Sequence, residues 1–274
     1  MAKLIDCMHL GRDRVIGAYE LDGLIVDPGP SSCLEALLAG LESEPRALLL
    51  THVHLDHAGA SGTLVDRFPK LRVYVHEVGA PHLVEPSRLL QSAARLYGDE
   101  MDRLWGEVVA VPAENVVALS GGERIEGFRV AHTPGHAGHH VAYFHEPTGD
   151  AYVGDIAGVR IPPLEFTVPP TPPPDIDLEA WERSLNTVAE WLPQRLCLTH
   201  FGRVDDVKGQ LDRLRERLRA NAERARLGDR ERFLAELEAE IEAKTDAGVA
   251  ERLRQAAPAE QLWLGLERYW RKRA

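Results

Sequence analysis

The chain has 274 residues, 44% hydrophobic and 27% charged, a balance that excludes wholesale disorder and is long enough to bury a core without disulfide staples. Its 43 acids outnumber 32 bases for a formal charge of −11, which argues against general binding of nucleic acid or anionic membrane. Three scattered cysteines, Cys7, Cys33 and Cys197, indicate neither a disulfide framework nor a thiolate zinc site. No run of 18 apolar residues is present to span a membrane, and residues 1–6 carry no apolar signal core, so a cytoplasmic location is expected. The unusual count is twelve histidines.

Residues 1–50 read as β-rich and then helical. Apolar runs at 15–20 and 24–26 end at the turn cluster Asp27-Pro28-Gly29-Pro30. Ser31 or Ser32 is expected to cap a helix through about Leu41, with Glu35 at capping-box spacing from Ser32. The run 47–50 has the look of a strand buried on both faces, and it stops at Thr51. Helix is predicted at 58–67, strand at 72–76 and one or two helices at 87–105. Short strands alternate with glycine turns at 116–119, 123–125, 128–132, 140–144 and 151–153. Residues 161–174 hold seven prolines and are expected to be extended and stiff. A helix at 178–192 presents Trp181, Leu185 and Val188 on one face, and a strand at 196–198 ends at Thr199-His200. After about residue 204, apolar residues such as Leu211, Leu214, Leu218, Phe233, Leu237 and Ile241 recur at helical spacing among dense Arg and Glu. The predicted organisation is an α+β domain over 1–204, with two packed sheets and helices outside, followed by a helical region over 205–274.

The strongest chemical signal is Thr51-His52-Val53-His54-Leu55-Asp56-His57, directly after a buried strand. Alternate residues of an extended segment point the same way, so His52 and His54 can share one metal ion. Asp56 and His57 lie on the following turn, where the chain can direct them to a second. Imidazole and carboxylate suit zinc, iron or manganese. One loop supplies too few ligands for two sites. His136, Asp155 and His200 each stand just past a short apolar strand, so all could gather on one edge of the sheets.

The order His-His-Asp-His, His, Asp, His resembles the metallo-β-lactamase superfamily, the αββα metallohydrolases, through roughly residues 4–204. The resemblance implies an αββα sandwich with a helical appendage. It implies that His52, His54 and His136 hold a first metal ion and Asp56, His57 and His200 a second, with Asp155 bridging both. Asp27, in the family's Asp-x-Gly turn, would orient ligands from behind. Two divalent ions, zinc first with iron or manganese as alternatives, would lower the pKa of a shared water so that the hydroxide attacks a carbonyl or phosphoryl centre. Asp56 and Asp155 are the carboxylates nearest that chemistry.

With His57 and Asp155 both present, the resemblance points away from true β-lactamases, whose classes depart at one or the other. Glyoxalase II enzymes carry the same ligands, but their glutathione-binding positions find no match here. The expected activity is therefore hydrolysis of a small ester, thioester or lactone. The alternatives are a mononuclear iron persulfide dioxygenase, a nuclease acting on phosphodiesters, and a non-catalytic metal-binding protein. His9, His76, His82, His132 and His145 read as ordinary structural groups, whereas His139 or His140 is a candidate to hydrogen-bond a ligand or substrate. The proline stretch could wall or cover the site, with Leu164 and Phe166 lining an apolar pocket. The run Arg213, Arg215, Arg217 and Arg219 reads as a solvated helix face with i,i+4 pairs. Trp263, Leu264, Leu266, Tyr269 and Trp270 must pack on something, either the rim of the site or a second copy in a homodimer.

Overall fold

The structure, a computed structural model, describes residues 2–273. The chain divides into two compact units. The first runs to His132 and includes Val141–Tyr143; the second holds Thr133–His140 and the chain from Phe144 onward.

In the first unit, β1 (Lys3–Asp6), β2 (Gly17–Leu21), β3 (Leu24–Val26), β4 (Ala47–Leu49), β5 (Arg72–His76) and β6 (Val116–Leu119) form one sheet in that order. The pairs β1–β2 and β2–β3 are antiparallel, and β3 to β6 run parallel. Parallel neighbours require crossovers. These are α1 (Leu34–Gly40) before β4, α2 (Leu55–Ala58) and α3 (Ser61–Arg67) before β5, and α4 (Ala80–Val84), α5 (Ser87–Tyr97) and α6 (Met101–Trp105) before β6. Every residue of β3 and β4 is buried, as strands covered on both faces should be. A hairpin of β7 (Arg124–Ile125) and β8 (Phe128–His132) follows.

Two local expectations need correcting. No serine caps the first helix: Ser31–Cys33 form a 3-10 turn and α1 begins at Leu34 without a side-chain cap. Ser31 Oγ donates instead to the Gly59 carbonyl (3.2 Å) and Ser32 Oγ to that of Leu104 (2.7 Å), so tertiary partners take the hydroxyls that a local cap would have used. The helix expected at 58–67 begins earlier, at Leu55, and is split into α2 and α3.

In the second unit, β9 (Val141–His145) enters from the first, and β10 (Asp150–Gly154) pairs in parallel with β13 (Arg195–Leu198), which pairs antiparallel with β14 (Gly202–Val204). Between β10 and β13 lie a two-stranded ribbon, β11 (Val159–Arg160) with β12 (Thr167–Val168), and the helix α7 (Leu178–Glu190). The rest is helical: α8 (Val207–Arg226), α9 (Arg230–Lys244), α10 (Ala247–Ala256) and α11 (Ala259–Arg271). The four helices α7 to α10 each open on an aspartate, Asp177, Asp206, Asp229 and Asp246, whose carboxylate accepts the N–H three residues on. That cap satisfies an orphan donor and places negative charge at the positive end of the helix dipole.

The basic run of α8 is held mainly by acids from other elements rather than by i,i+4 partners. Arg215 and Arg219 pair with Glu182 of α7, Arg217 with Glu240 of α9, and Arg213 with Glu165 and Asp206. Phe166, between β11 and β12, lies against basic side chains of α8 and α9. Its ring lies 4.3 Å from the Arg217 guanidinium and 6.0 Å from the Lys244 ammonium, a cation–π stack within the helical region. The apolar face of α11 is covered by the chain's own helices: Trp263 packs on Phe233 of α9, Trp270 Nε1 donates to the Ala222 carbonyl of α8, and Tyr269 Oη donates to Glu179 of α7. The three cysteines are buried and free. Burial pushes the Cys33 thiol up to about 11, and Cys7 and Cys197 higher still. Among the described residues, no helix is long and apolar enough to cross a membrane.

Candidate metal centre

In the first unit the motif residues leave the carboxyl end of β4, the end where parallel sheets gather their ligands. The register Val26↔Leu49 aligns β3 with β4, so Asp27 and Thr51 emerge side by side. Asp27 lies in a left-handed turn (φ 50°) and is fully buried. Its Oδ1 accepts the Thr51 N–H (2.8 Å), and its Oδ2 accepts both the Thr51 hydroxyl (2.8 Å) and His57 Nδ1–H (2.9 Å).

These bonds set the imidazole tautomers. A carboxylate only accepts, so His57 must donate from Nδ1, which makes Nε2 the unprotonated nitrogen of the neutral ring. Thr51 commits its single hydroxyl proton to Asp27, so its oxygen receives Nδ1–H from His52 at 3.1 Å, and the His52 Nε2 is left as the unprotonated nitrogen. That Nε2 faces His54 Nδ1 at 2.9 Å. The His52 and His57 rings lie 4.0 Å apart, and His57 Nε2 is 3.7 Å from Asp56 Oδ2. His52 and His57 are fully buried, while His54 and Asp56 are partly exposed. Four nitrogen and oxygen donors thus converge within one loop. Thr51 has no place among the ligands expected from sequence, yet it links Asp27 to His52; a hydroxyl immediately before the motif is its only sequence signal.

In the second unit the parallel pairing of β10 with β13, Gly154 opposite Leu198, sets Asp155 and His200 at neighbouring strand ends. His200 Nε2 lies 3.5 Å from Asp155 Oδ1, and His136 Nε2 lies 3.3 Å from Asp155 Oδ2. One buried carboxylate therefore presents a different oxygen to each of two buried imidazoles. His136 comes from the loop 133–140, closed by Thr133 N–H donating to the His140 carbonyl (2.8 Å) and by Thr133 Oγ1 meeting His140 Nδ1 (2.8 Å). His140 thus braces the loop. Gly135 has φ +143°, and a Cβ there would stand 2.4 Å from the Trp181 Cα, so the loop lies directly on α7. His136 Nδ1–H donates to the Pro170 carbonyl (2.8 Å), which turns Nε2 toward Asp155. The Trp181 ring meets His136 edge-on at 5.8 Å, and Trp181 Nε1–H donates to the carbonyl of Ile156, next to Asp155.

Four of the five histidines without a chemical assignment have ordinary partners. His9 stacks on Trp105 and bonds the Leu104 carbonyl, His76 stacks on His132, and His145 meets Thr148.

A sequence model described as the Metallo-beta-lactamase superfamily matches residues 16–200, a span that includes all seven candidate ligands. A hydroxyacylglutathione hydrolase from Synechococcus sp. is 30% identical over 133 residues, 48% of this chain and 42% of that protein. The metallo-beta-lactamase fold-containing protein ST1585 of Sulfurisphaera tokodaii is 29% identical over 164 residues, 57% of this chain and 60% of that one. The matched stretch therefore covers less than two thirds of either relative. The crystal structure of ST1585 matches over 97% of both chains with a TM-score of 0.72 at 24% identity, so the shared fold extends through the C-terminal helices. TTHA1623, solved in a di-iron-bound form, matches 72% of this chain and 91% of its own with a TM-score of 0.55 at 30% identity.

Proposed function

The chain belongs to the metallo-beta-lactamase superfamily, and on that premise we propose that it is a dinuclear metal-dependent hydrolase of small esters, thioesters or lactones. The family pattern implies the ligands: His52, His54 and His136 for one ion, Asp56, His57 and His200 for the other, and Asp155 for both. The observation that carries this reading is the Asp155 carboxylate, with one oxygen facing His136 and the other facing His200. That is the donor geometry a bridging carboxylate needs. The fixed tautomers support it as well: Asp27, Thr51 and the Pro170 carbonyl each occupy an Nδ1 position and turn an Nε2 lone pair inward.

When bound, a pair of divalent ions lowers the pKa of a water and polarises the electrophilic carbonyl. The remaining work falls to the chain. Asp27 holds the His57 and His52 rings against rotation, so the donors do not reorganise during turnover. Asp155 keeps His136 and His200 at fixed separation. Asp56, with its side chain 22% exposed against 5% for Asp155, is the more solvent-accessible of the two carboxylates and the one placed to pass a proton to water. The thioester arm of the substrate class draws on the hydroxyacylglutathione hydrolase relatives. The di-iron form of TTHA1623 makes a pair of iron ions the second metal composition to test.

The test is chelation. Dialysis against a strong chelator should bring hydrolysis of a panel of acyl thioesters, aryl esters and lactones down to background, and zinc or iron added back should restore it. Full activity in protein verified to be metal-free would overturn the reading.

A further inference from the structure

We infer that the C-terminal helix α11 is a positioning element for His136, acting on it through the backbone of Thr171 and Pro170. The inference rests on the reading of His136 as a metal ligand, and it gives the proline-rich strap and the final helix a task in the same site.

The observations form one continuous chain within the second unit. His136 Nδ1–H donates to the Pro170 carbonyl at 2.8 Å. Pro169, Pro170 and Thr171 are buried, so this stretch is a fixed strap and not an exposed cover. The residue after Pro170 is gripped by α11 from two sides. Thr171 Oγ1 donates to the Leu262 carbonyl at 3.0 Å. On the other side, Gly265 lets the helix backbone lie against the strap: a Cβ on Gly265 would fall 2.0 Å from the Thr171 carbonyl oxygen and 2.9 Å from the Pro172 carbonyl carbon. Further along, Arg268 Nε and Lys272 Nζ both donate to the Pro174 carbonyl, at 3.2 and 3.3 Å. The helix itself is anchored on α9, α8 and α7 by Trp263, Trp270 and Tyr269.

A proline-rich strap suits this task. Its fixed φ angles resist bending, so a displacement at Thr171 is passed to Pro170 rather than absorbed between them. The carbonyl of Pro170 has no competing role in a helix or ladder and can be dedicated to the imidazole. A partner of this kind behind a ligating histidine sets its ring orientation and basicity, and losing it typically costs about 10–100-fold in metal affinity.

Gly265→Ala is the direct test. In a helix that merely packs, alanine is the better helix former and should be neutral or stabilising. Here the methyl has to displace the Thr171 carbonyl, and Pro170 with it. The expected result is zinc release to a chromogenic chelator about 10–100-fold faster than wild type for one of the two ions. An altered visible spectrum of the cobalt-substituted protein should accompany it, because that spectrum reports ligand geometry. Thr171→Val, which keeps the shape but loses the bond to Leu262, should move both readouts the same way by a smaller factor, and it decides the matter if Gly265→Ala does not fold. Lys208→Ala, which removes an exposed ion pair with Asp212 on α8 and touches neither α11 nor the strap, should leave the cobalt spectrum unchanged. If wild type and both strap variants bind zinc with equal release rates and identical cobalt spectra, the inference is overturned while the metal site stands. If wild-type protein binds no zinc or cobalt at all, it is the reading of the site that has failed.

Discussion

Asp155→Ala is expected to lose at least one of its metal ions and to lower hydrolysis by about 1,000-fold or more. A metal pair contributes several kcal/mol of charge stabilisation to the transition state, and each ~1.4 kcal/mol is a factor of ten. Asp155 is in contact with both His136 and His200. Alanine would remove the anion that holds two imidazoles from separate strand ends at one place. The backbone around it is not at risk, because Trp181 Nε1 still anchors the Ile156 carbonyl and β10 still pairs with β13. Circular dichroism should therefore stay native while metal content and rate collapse. Asp155→Asn, which keeps the size and one carbonyl oxygen, should fall between the two. Unchanged metal content and rate in the alanine variant would sink the ligand assignment.

Asp27→Ala carries the second large effect, and it should appear in stability as well as in metal binding. The carboxylate is fully buried and takes three hydrogen bonds, two from Thr51 and one from His57. Removing it leaves three buried donors to be satisfied by nothing, and breaking a buried charged partnership of this kind costs about 3–5 kcal/mol. At roughly 2–4 °C per kcal/mol for chains of 150–250 residues, the melting temperature should drop by about 6–20 °C. Asp27→Asn separates the two roles. It keeps an acceptor for the Thr51 N–H and fills the same space, so the loss of stability should be smaller. Its amide, however, cannot accept from both Thr51 and His57 as the carboxylate does, so metal affinity should still fall by about 10–100-fold. If the asparagine variant melts lower but holds metal as wild type does, Asp27 is a structural carboxylate only.

Much of the fold was legible because its strands announce themselves. The fully apolar run 47–50 reads as a strand buried on both faces, and β4 is that strand, with the candidate ligands beginning three residues after its end. The ligand residues were legible for the same reason: each stands just past a short apolar run, and strand register does the rest, as the opposition of Gly154 to Leu198 does for Asp155 and His200. What the sequence hid are partners with no side-chain signature. The Pro170 carbonyl behind His136 is backbone, and the strap that carries it reads as a stiff stretch that could wall or cover the site, with nothing to mark one carbonyl. The capping role assigned to Ser31 or Ser32 failed because Gly59 and Leu104, 28 and 72 residues away, supply their acceptors, and a local rule has no view of them. Conversely, the aspartate caps of α7 to α10 follow the local rule in full. The arginines of α8 were expected to pair along their own helix. Arg215 does pair with Asp212 on α8, but Glu182 and Glu240 also reach Arg215, Arg217 and Arg219 from neighbouring helices, because a bundle brings acids within range that a lone helix would lack.

The central claim, that two ligand sets hold one pair of ions, is tested most directly by the metal content of the purified protein. Elemental analysis against an accurate protein concentration should find two divalent ions per chain, zinc or iron, falling to one or none in Asp155→Ala. A single iron per chain would contradict the account and favour the mononuclear dioxygenase alternative, and no bound metal after reconstitution would contradict it outright.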